Sequence, residues 1–222
     1  MNIKIILITF MILIFFGFIS SQLMTASTNW LSFFPSEINN TNFKKNISFP
    51  EAQLENYSLS FDKQGYNQCA GYAAAFLQRY YGQNAYGSDI YQNISYKLPF
   101  NIGVPPHKLI NHFEKNNFSA RSRTGRLEHI KYNVANNGPV IVLVGEGIYW
   151  QHYIVLLGYN ESKSELYFYN PQFGELQFNK KYPGNYVLSE KKFLSIWNNG
   201  LPGFSQLFIT VEPLVNKKAT NT

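Results

Sequence analysis

Gln64-Gly-Tyr-Asn-Gln-Cys-Ala-Gly-Tyr-Ala-Ala-Ala-Phe-Leu-Gln-Arg-Tyr-Tyr-Gly82 is the stretch on which the reading of this chain turns. After Cys69, the residues Ala73, Ala74, Leu77 and Tyr80 recur at helical spacing, and Gly82 stops the run. The alanines let such a helix pack closely and deeply. Cys69 then stands at or just before the helix's first turn, where unpaired backbone N–H groups and the helix dipole favour a thiolate. A lone cysteine is most often an inert small hydrophobe. The helix start, and the oxidation risk to a free thiol in an exported protein, favour a nucleophile instead.

Working outward, Pro105-Pro106 opens a second helix with Leu109, Ile110 and Phe113 as its buried stripe. A third runs from Leu127 through Ile130 and Val134 to Asn137, with Gly138 suited to its C-cap. The pattern then changes to continuous apolar runs, 139–144 and 152–158, of the kind buried on both faces of a sheet. A further strand covers 165–170, and the polar connection 159–164 makes the last two a hairpin. A short helix over 189–199 buries Phe193, Ile196 and Trp197, and a final strand closes the domain over 204–211. Helices precede strands rather than alternating with them, which predicts an α+β domain.

A nucleophilic thiol needs a base, and His152 is the best candidate. It opens a strand after the aromatic pair Tyr149-Trp150, where a sheet-edge imidazole can face a cleft. His107, His112 and His129 lie in or beside surface-type helices in polar company and are read as structural. Asn170 ends the next strand, just before Pro171, where an amide could accept the imidazole N–H and fix its tautomer. By itself, an Asn before a Pro is simply a turn former.

Composition bounds the rest. The 222 residues are 45% hydrophobic and 14% charged, enough for one domain with a substantial core. Aromatics at 17% favour a strand-rich or mixed fold. One cysteine excludes a disulfide framework and a Cys-rich zinc site, so no metal or cofactor is expected. The formal charge is +6, but Lys and Arg are scattered, which argues against a nucleic-acid partner. Residues 1–26 read as a secretory signal peptide or an N-terminal membrane anchor: Lys4 is followed by an apolar run from Ile5 to Ile19, and small residues come next. The expected organisation is that segment, a linker or arm over 27–54, one domain over 55–215, and a polar tail over 216–222. The arm is expected to pack through Trp30, Phe33 and Phe34, and its position would let it cover a cleft. A monomer working outside the cytoplasm is expected.

Taken together, the stretch 64–82, Gly103-Val-Pro-Pro106, Gly138-Pro-Val-Ile-Val-Leu-Val144, Gln151-His-Tyr-Ile-Val-Leu-Leu-Gly-Tyr159 and Tyr169-Asn-Pro-Gln-Phe-Gly174 resemble the double-glycine (bacteriocin leader) peptidases. These belong to the papain-like cysteine peptidase clan. The resemblance covers about residues 60–175 in the right order. It implies a papain-like fold, with N-terminal helices packed on an antiparallel sheet. It also implies Cys69 as nucleophile, His152 as general base and acid, Asn170 as orienter, and Gln64 as oxyanion donor with the Cys69 backbone N–H.

Three positions depart from the family pattern. Asn170 replaces the usual Asp and is the residue type of papain. Gln68 stands before the cysteine, where the family often has Asp. Gln64 is one residue closer to the cysteine than the family's glutamine, and Gln68, adjacent to the nucleophile, is badly placed to reach the same oxyanion. The expected function is an extracytoplasmic cysteine peptidase acting on a peptide or protein substrate through a thioester. The alternatives are a non-catalytic peptide-binding module on the same fold and a cell-wall amidase or transpeptidase.

Overall fold

The two apolar runs form adjacent strands in the middle of a seven-stranded sheet. Counting elements in chain order, β3 (Val140–Glu146) pairs antiparallel with β4 (Trp150–Asn160), Val140 opposite Leu156 and Glu146 opposite Trp150. β4 turns through 161–164 into β5 (Glu165–Tyr169), the expected hairpin. The computed structural model describes residues 36–37, 61–94, 97, 103–147, 149–174 and 183–214. The chain divides into two units, Met1–Phe33 and Phe34–Thr222, and every described residue lies in the second. The segment 1–26, the arm's Trp30, Phe33 and Phe34, and the tail 216–222 lie outside the described residues. Among those described, no helix is long and apolar enough to cross a membrane, and no group of His, Cys, Asp and Glu could hold a metal ion.

The remaining strands are β1 (Ser36–Glu37), β2 (Phe118–Thr124), β6 (Tyr186–Ser189) and β7 (Leu207–Pro213), and the sheet order is β1-β2-β7-β3-β4-β5-β6. Every neighbouring pair is antiparallel except β1 with β2, at the sheet edge far from β5. The two described arm residues, Ser36 and Glu37, are thus four strands away from β4.

Helices cover both faces, which explains why β3 is apolar at every core position. On one face Ile141, Leu143, Tyr153, Val155 and Leu157 meet α1 (Cys69–Tyr80), α2 (Gly87–Asn93) and α3 (Pro106–Lys115). On the other, Val140, Val142, Val144, Ile154 and Leu156 meet α4 (Leu127–Asn137) and α5 (Glu190–Trp197). The period-2 alternation of side chains sends successive residues to opposite layers. Trp197 and Phe193 are fully buried, each removal of such a ring from water stabilising the fold by roughly 1.5–3 kcal/mol. The Trp197 indole N–H also donates to the Leu207 carbonyl at 2.9 Å.

The Ala-rich helix is buried almost all round at Ala70, Ala73, Ala74, Ala75, Phe76 and Leu77, while Tyr80 is only half-buried. Its close partner is α2, a short helix that the sequence pattern does not announce. A Cβ on Gly71 would lie 2.4 Å from the Gly87 carbonyl oxygen and 2.7 Å from the Tyr91 Cβ, so two glycines let the helix backbones touch. β2 also escapes sequence reading, because only Phe118 and Ala120 are apolar and its pairing with β7 holds it in place. The closing strand begins at Leu207 rather than 204, since 198–206 form turns. His129, read as structural, is buried at 1% exposure. Its Nδ1 accepts the Arg126 backbone N–H at 3.1 Å and so caps the start of α4.

Candidate active site

The site lies where β5 leaves β4. β4 pairs with β3 from Trp150 onward, but β5 pairs only from Val155, opposite Tyr169. Residues 150–154 therefore run past the end of β5, and the chain turns away at Asn170-Pro171. There the amino-terminal end of α1 meets β4, the Tyr153 backbone N–H reaching the Cys69 sulfur. Cys69 is the first residue of that helix, and the backbone N–H groups of Tyr153, Ala70 and Cys69 itself act on its sulfur.

His152 is buried at 5% exposure, on an interior strand rather than at an open sheet edge as its sequence position suggested. Its Nε2 lies 2.8 Å from the Asn170 Oδ1. The same oxygen accepts the Gln172 backbone N–H at 3.0 Å. A peptide N–H can only donate, so the atom between these two groups must be the amide oxygen and not its nitrogen. The imidazole proton is consequently on Nε2, which leaves Nδ1 as the basic nitrogen. The Trp150 ring, two residues back on the same face of β4, stacks on the imidazole with centroids 5.5 Å apart and planes at 30°. Trp150 is itself partly open to solvent, and Tyr149 is almost fully exposed.

Burial dominates the electrostatics. It raises the Cys69 thiol pKa, against the smaller lowering from the three N–H groups. It lowers the His152 imidazole pKa, with the Asn170 hydrogen bond acting less strongly in the other direction. Burial thus disfavours the charged form of both groups. The helix-start N–H groups act in the direction the sequence suggested, and desolvation acts against them more strongly. No hydrogen bond joins the thiol to the imidazole in the resting structure.

Gln64 is brought to the same place by the segment before α1. Its backbone N–H donates to the Pro171 carbonyl at 2.8 Å, next to Asn170. Tyr169 Oη donates to the Asp62 carbonyl at 2.6 Å, the Asp62 carboxylate pairs with Arg79 at 3.1 Å, and the Phe61 ring stacks on Phe76. The Gln64 side-chain oxygen is buried without a hydrogen-bond partner. Gln68 sits just before the helix and its amide folds over Gly65, where a Cβ would be 2.6 Å from the Gln68 Oε1. The four candidate residues therefore share one neighbourhood. Cys69 meets the residue after His152, His152 bonds Asn170, and Gln64 bonds the residue after Asn170. His112 lies elsewhere, its Nε2 3.3 Å from the Gln78 amide nitrogen.

Two residues at the site went unnoticed in the sequence. Asn185 is buried and bonded to the Asn170 peptide unit. Tyr91, on α2, carries a buried hydroxyl without a hydrogen-bond partner. A buried Asn between Gly184 and a strand reads only as a turn residue, and Tyr91 lies on a helix with no amphipathic signal.

The sequence profile of the Peptidase_C39 like family matches residues 23–200. Among solved structures, the peptidase domain of Streptococcus ComA, a bi-functional ABC transporter involved in a quorum-sensing pathway, is similar with a TM-score of 0.52. It is 21% identical, and the match covers 68% of this chain and 96% of that one. A double-glycine-motif protease from an AMS/PCAT transporter, solved with its leader peptide, has a TM-score of 0.51 at 12% identity, covering 78% of this chain and 96% of that one. At these identities the likeness speaks for the fold, a papain-like mix of helices and antiparallel sheet. No curated protein matches the sequence.

Proposed function

The chain belongs to the Peptidase_C39 like family, and from that premise we propose that it is a cysteine peptidase hydrolysing peptide bonds outside the cytoplasm. The observation that carries the proposal is the 2.8 Å contact of His152 Nε2 with Asn170 Oδ1, at the strand end where the Cys69 helix begins. In this reading Cys69 is the nucleophile. Its proton passes to His152 Nδ1 as the sulfur attacks the amide carbonyl, so a neutral resting pair suffices and general-base transfer replaces a preformed ion pair. The imidazolium then protonates the leaving amine, Asn170 holding the ring throughout. Water, deprotonated by the same nitrogen, hydrolyses the thioester.

The oxyanion meets the Cys69 backbone N–H and the Gln64 amide. A half-turn of that amide replaces the buried, unpartnered oxygen with an NH2 donor, and this supports Gln64 in the role. The apolar segment at residues 5–19 supports an extracytoplasmic location. The proteins of similar fold act within transporters, and one is bound to a leader peptide. A peptide substrate is accordingly proposed for this chain.

Cleavage of a quenched-fluorescent peptide library by wild type and Cys69→Ala tests the reading. Turnover lost with an unchanged melting temperature is expected, and turnover retained in the variant overturns it. A non-catalytic peptide-binding module is the second reading. The observation on its side is the buried thiol, 8% exposed, which makes no hydrogen bond to the imidazole. Peptide capture at equal affinity by wild type and variant, with cleavage by neither, would favour it.

A further inference from the structure

We infer that Asn185 is the positioning residue of this site, clamping the Asn170 peptide unit so that its side-chain oxygen meets His152. The inference rests on the peptidase reading for its catalytic meaning, but its geometry is independent of that reading. Asn185 is 3% exposed. Its Oδ1 accepts the Asn170 backbone N–H at 2.7 Å, and its Nδ2 donates to the Asn170 carbonyl at 3.0 Å. The same Nδ2 donates to the Gly174 carbonyl at 3.0 Å. One side chain thus holds Asn170 from both of its backbone polar groups and closes the turn that follows.

The clamp is itself held firmly. The Asn185 backbone N–H donates to the Phe168 carbonyl at 3.0 Å, immediately before β6. A Cβ on Gly184 would lie 2.3 Å from that Phe168 oxygen, so the chain approaches β5 as closely as only glycine allows. Inside the turn, the Phe173 N–H donates to the Asn170 carbonyl at 3.2 Å and the Gln172 N–H to the Asn170 Oδ1. With its backbone fixed on both sides and its amide oxygen shared with Gln172, Asn170 has one orientation left, the one that faces His152. Asn is the side chain that meets the demand, needing one acceptor and two donors at a single amide. Asp offers no donor, and Ser one. Outer residues that orient a functional side chain act in this way at metal sites too.

The test is the His152 Nε2 proton, read by NMR on the full chain with 15N-labelled histidine, in wild type, Asn170→Ala, Asn185→Ala and Asn185→Ser. Wild type is expected to show a downfield, slowly exchanging N–H that correlates with Nε2. Asn170→Ala removes the acceptor and loses that signal. Asn185→Ala, which leaves His152 and Asn170 in place, is expected to lose it as well, and Asn185→Ser to broaden it. With a cleaved peptide in hand, kcat falls in the Asn185 variants while KM holds.

An unchanged N–H signal in a folded Asn185 variant overturns the inference, as does absence of the signal from wild type. Asn185→Ser covers a failure of the alanine variant to fold. Collapse of both would make Asn185 a residue of the fold rather than of the site and equally overturn it. A wild type that cleaves nothing, yet loses the N–H on Asn185→Ala, supports the positioning role while removing the peptidase reading.

Discussion

His152 donates its Nε2 proton to the Asn170 side-chain oxygen across 2.8 Å, and the Gln172 N–H on that same oxygen excludes the reverse arrangement. The pair therefore presents Nδ1 as its base. On the peptidase reading, replacing Asn170 by Ala frees the ring and should lower cleavage within the roughly 10²–10⁴-fold range of general acid–base assistance. Asn170→Asp keeps both acceptor contacts and should retain activity. Its carboxylate favours the imidazolium, so the acidic limb of the pH–rate profile moves upward. Steady-state rates against pH distinguish the two variants, and equal losses in both would contradict the assignment.

Burial pushes the Cys69 thiol up and the His152 imidazole down, and each shift has its own signature. Alkylation of Cys69 by iodoacetamide should rise with pH through a region above the 9.0 of an ordinary thiol. A plateau well below that value would show a preformed thiolate–imidazolium pair instead. His152 is held neutral when folded, with a pKa below its usual 6.5. Below 6.5 the unfolded chain binds the extra proton first, so the His152 contribution to stability is present above that value and is lost as pH falls below it through the lower folded pKa. Melting temperature against pH should therefore be less acid-sensitive in His152→Gln than in wild type.

Trp150 keeps water from one face of the imidazole. Trp150→Ala should reduce the desolvation of His152, moving its pKa up toward the ordinary value. Tyr149→Ala, at an almost fully exposed neighbour, should leave it unmoved. Histidine chemical shifts followed through a pH titration measure both, and an unmoved midpoint in Trp150→Ala would deny the shielding role.

The contact of α1 with α2 depends on Gly71. Adding one methyl there meets the Gly87 carbonyl at 2.4 Å and the Tyr91 Cβ at 2.7 Å, both backbone or near-backbone atoms that cannot swing aside. Gly71→Ala should cost about 1–3 kcal/mol by overpacking. Chemical denaturation gives the value, and a stabilised variant would show that α2 shifts freely.

Local pattern and chain order were enough to place the Ala-rich helix, the three apolar central strands, the hairpin between two of them, and Cys69, His152 and Asn170 in sequence along the chain. These are properties of residues near one another: helical spacing, uninterrupted apolar runs, a cysteine just before alanines, an Asn just before Pro171. Four described elements lacked any such signature, among them β1, which exists through its pairing with β2. β2 is mostly polar and exists through its pairing with β7, α2 through the close approach at Gly71, and β6 through its pairing with β5.

The state of the site was a tertiary matter throughout. A helix start by itself favours a thiolate, while burial acts the other way on the Cys69 thiol, and that burial depends on layers contributed by distant segments. That the His129 ring caps α4 likewise follows from the fold and not from its polar neighbours in sequence. The imidazole tautomer depends on the Gln172 backbone, and the setting of Asn170 on Asn185, fifteen residues further along the chain. Sequence by itself singled out the candidate side chains and the order in which they occur. Tertiary structure alone decided their burial, orientation and the imidazole tautomer, because all three follow from packing and hydrogen bonds between residues that no local spacing connects.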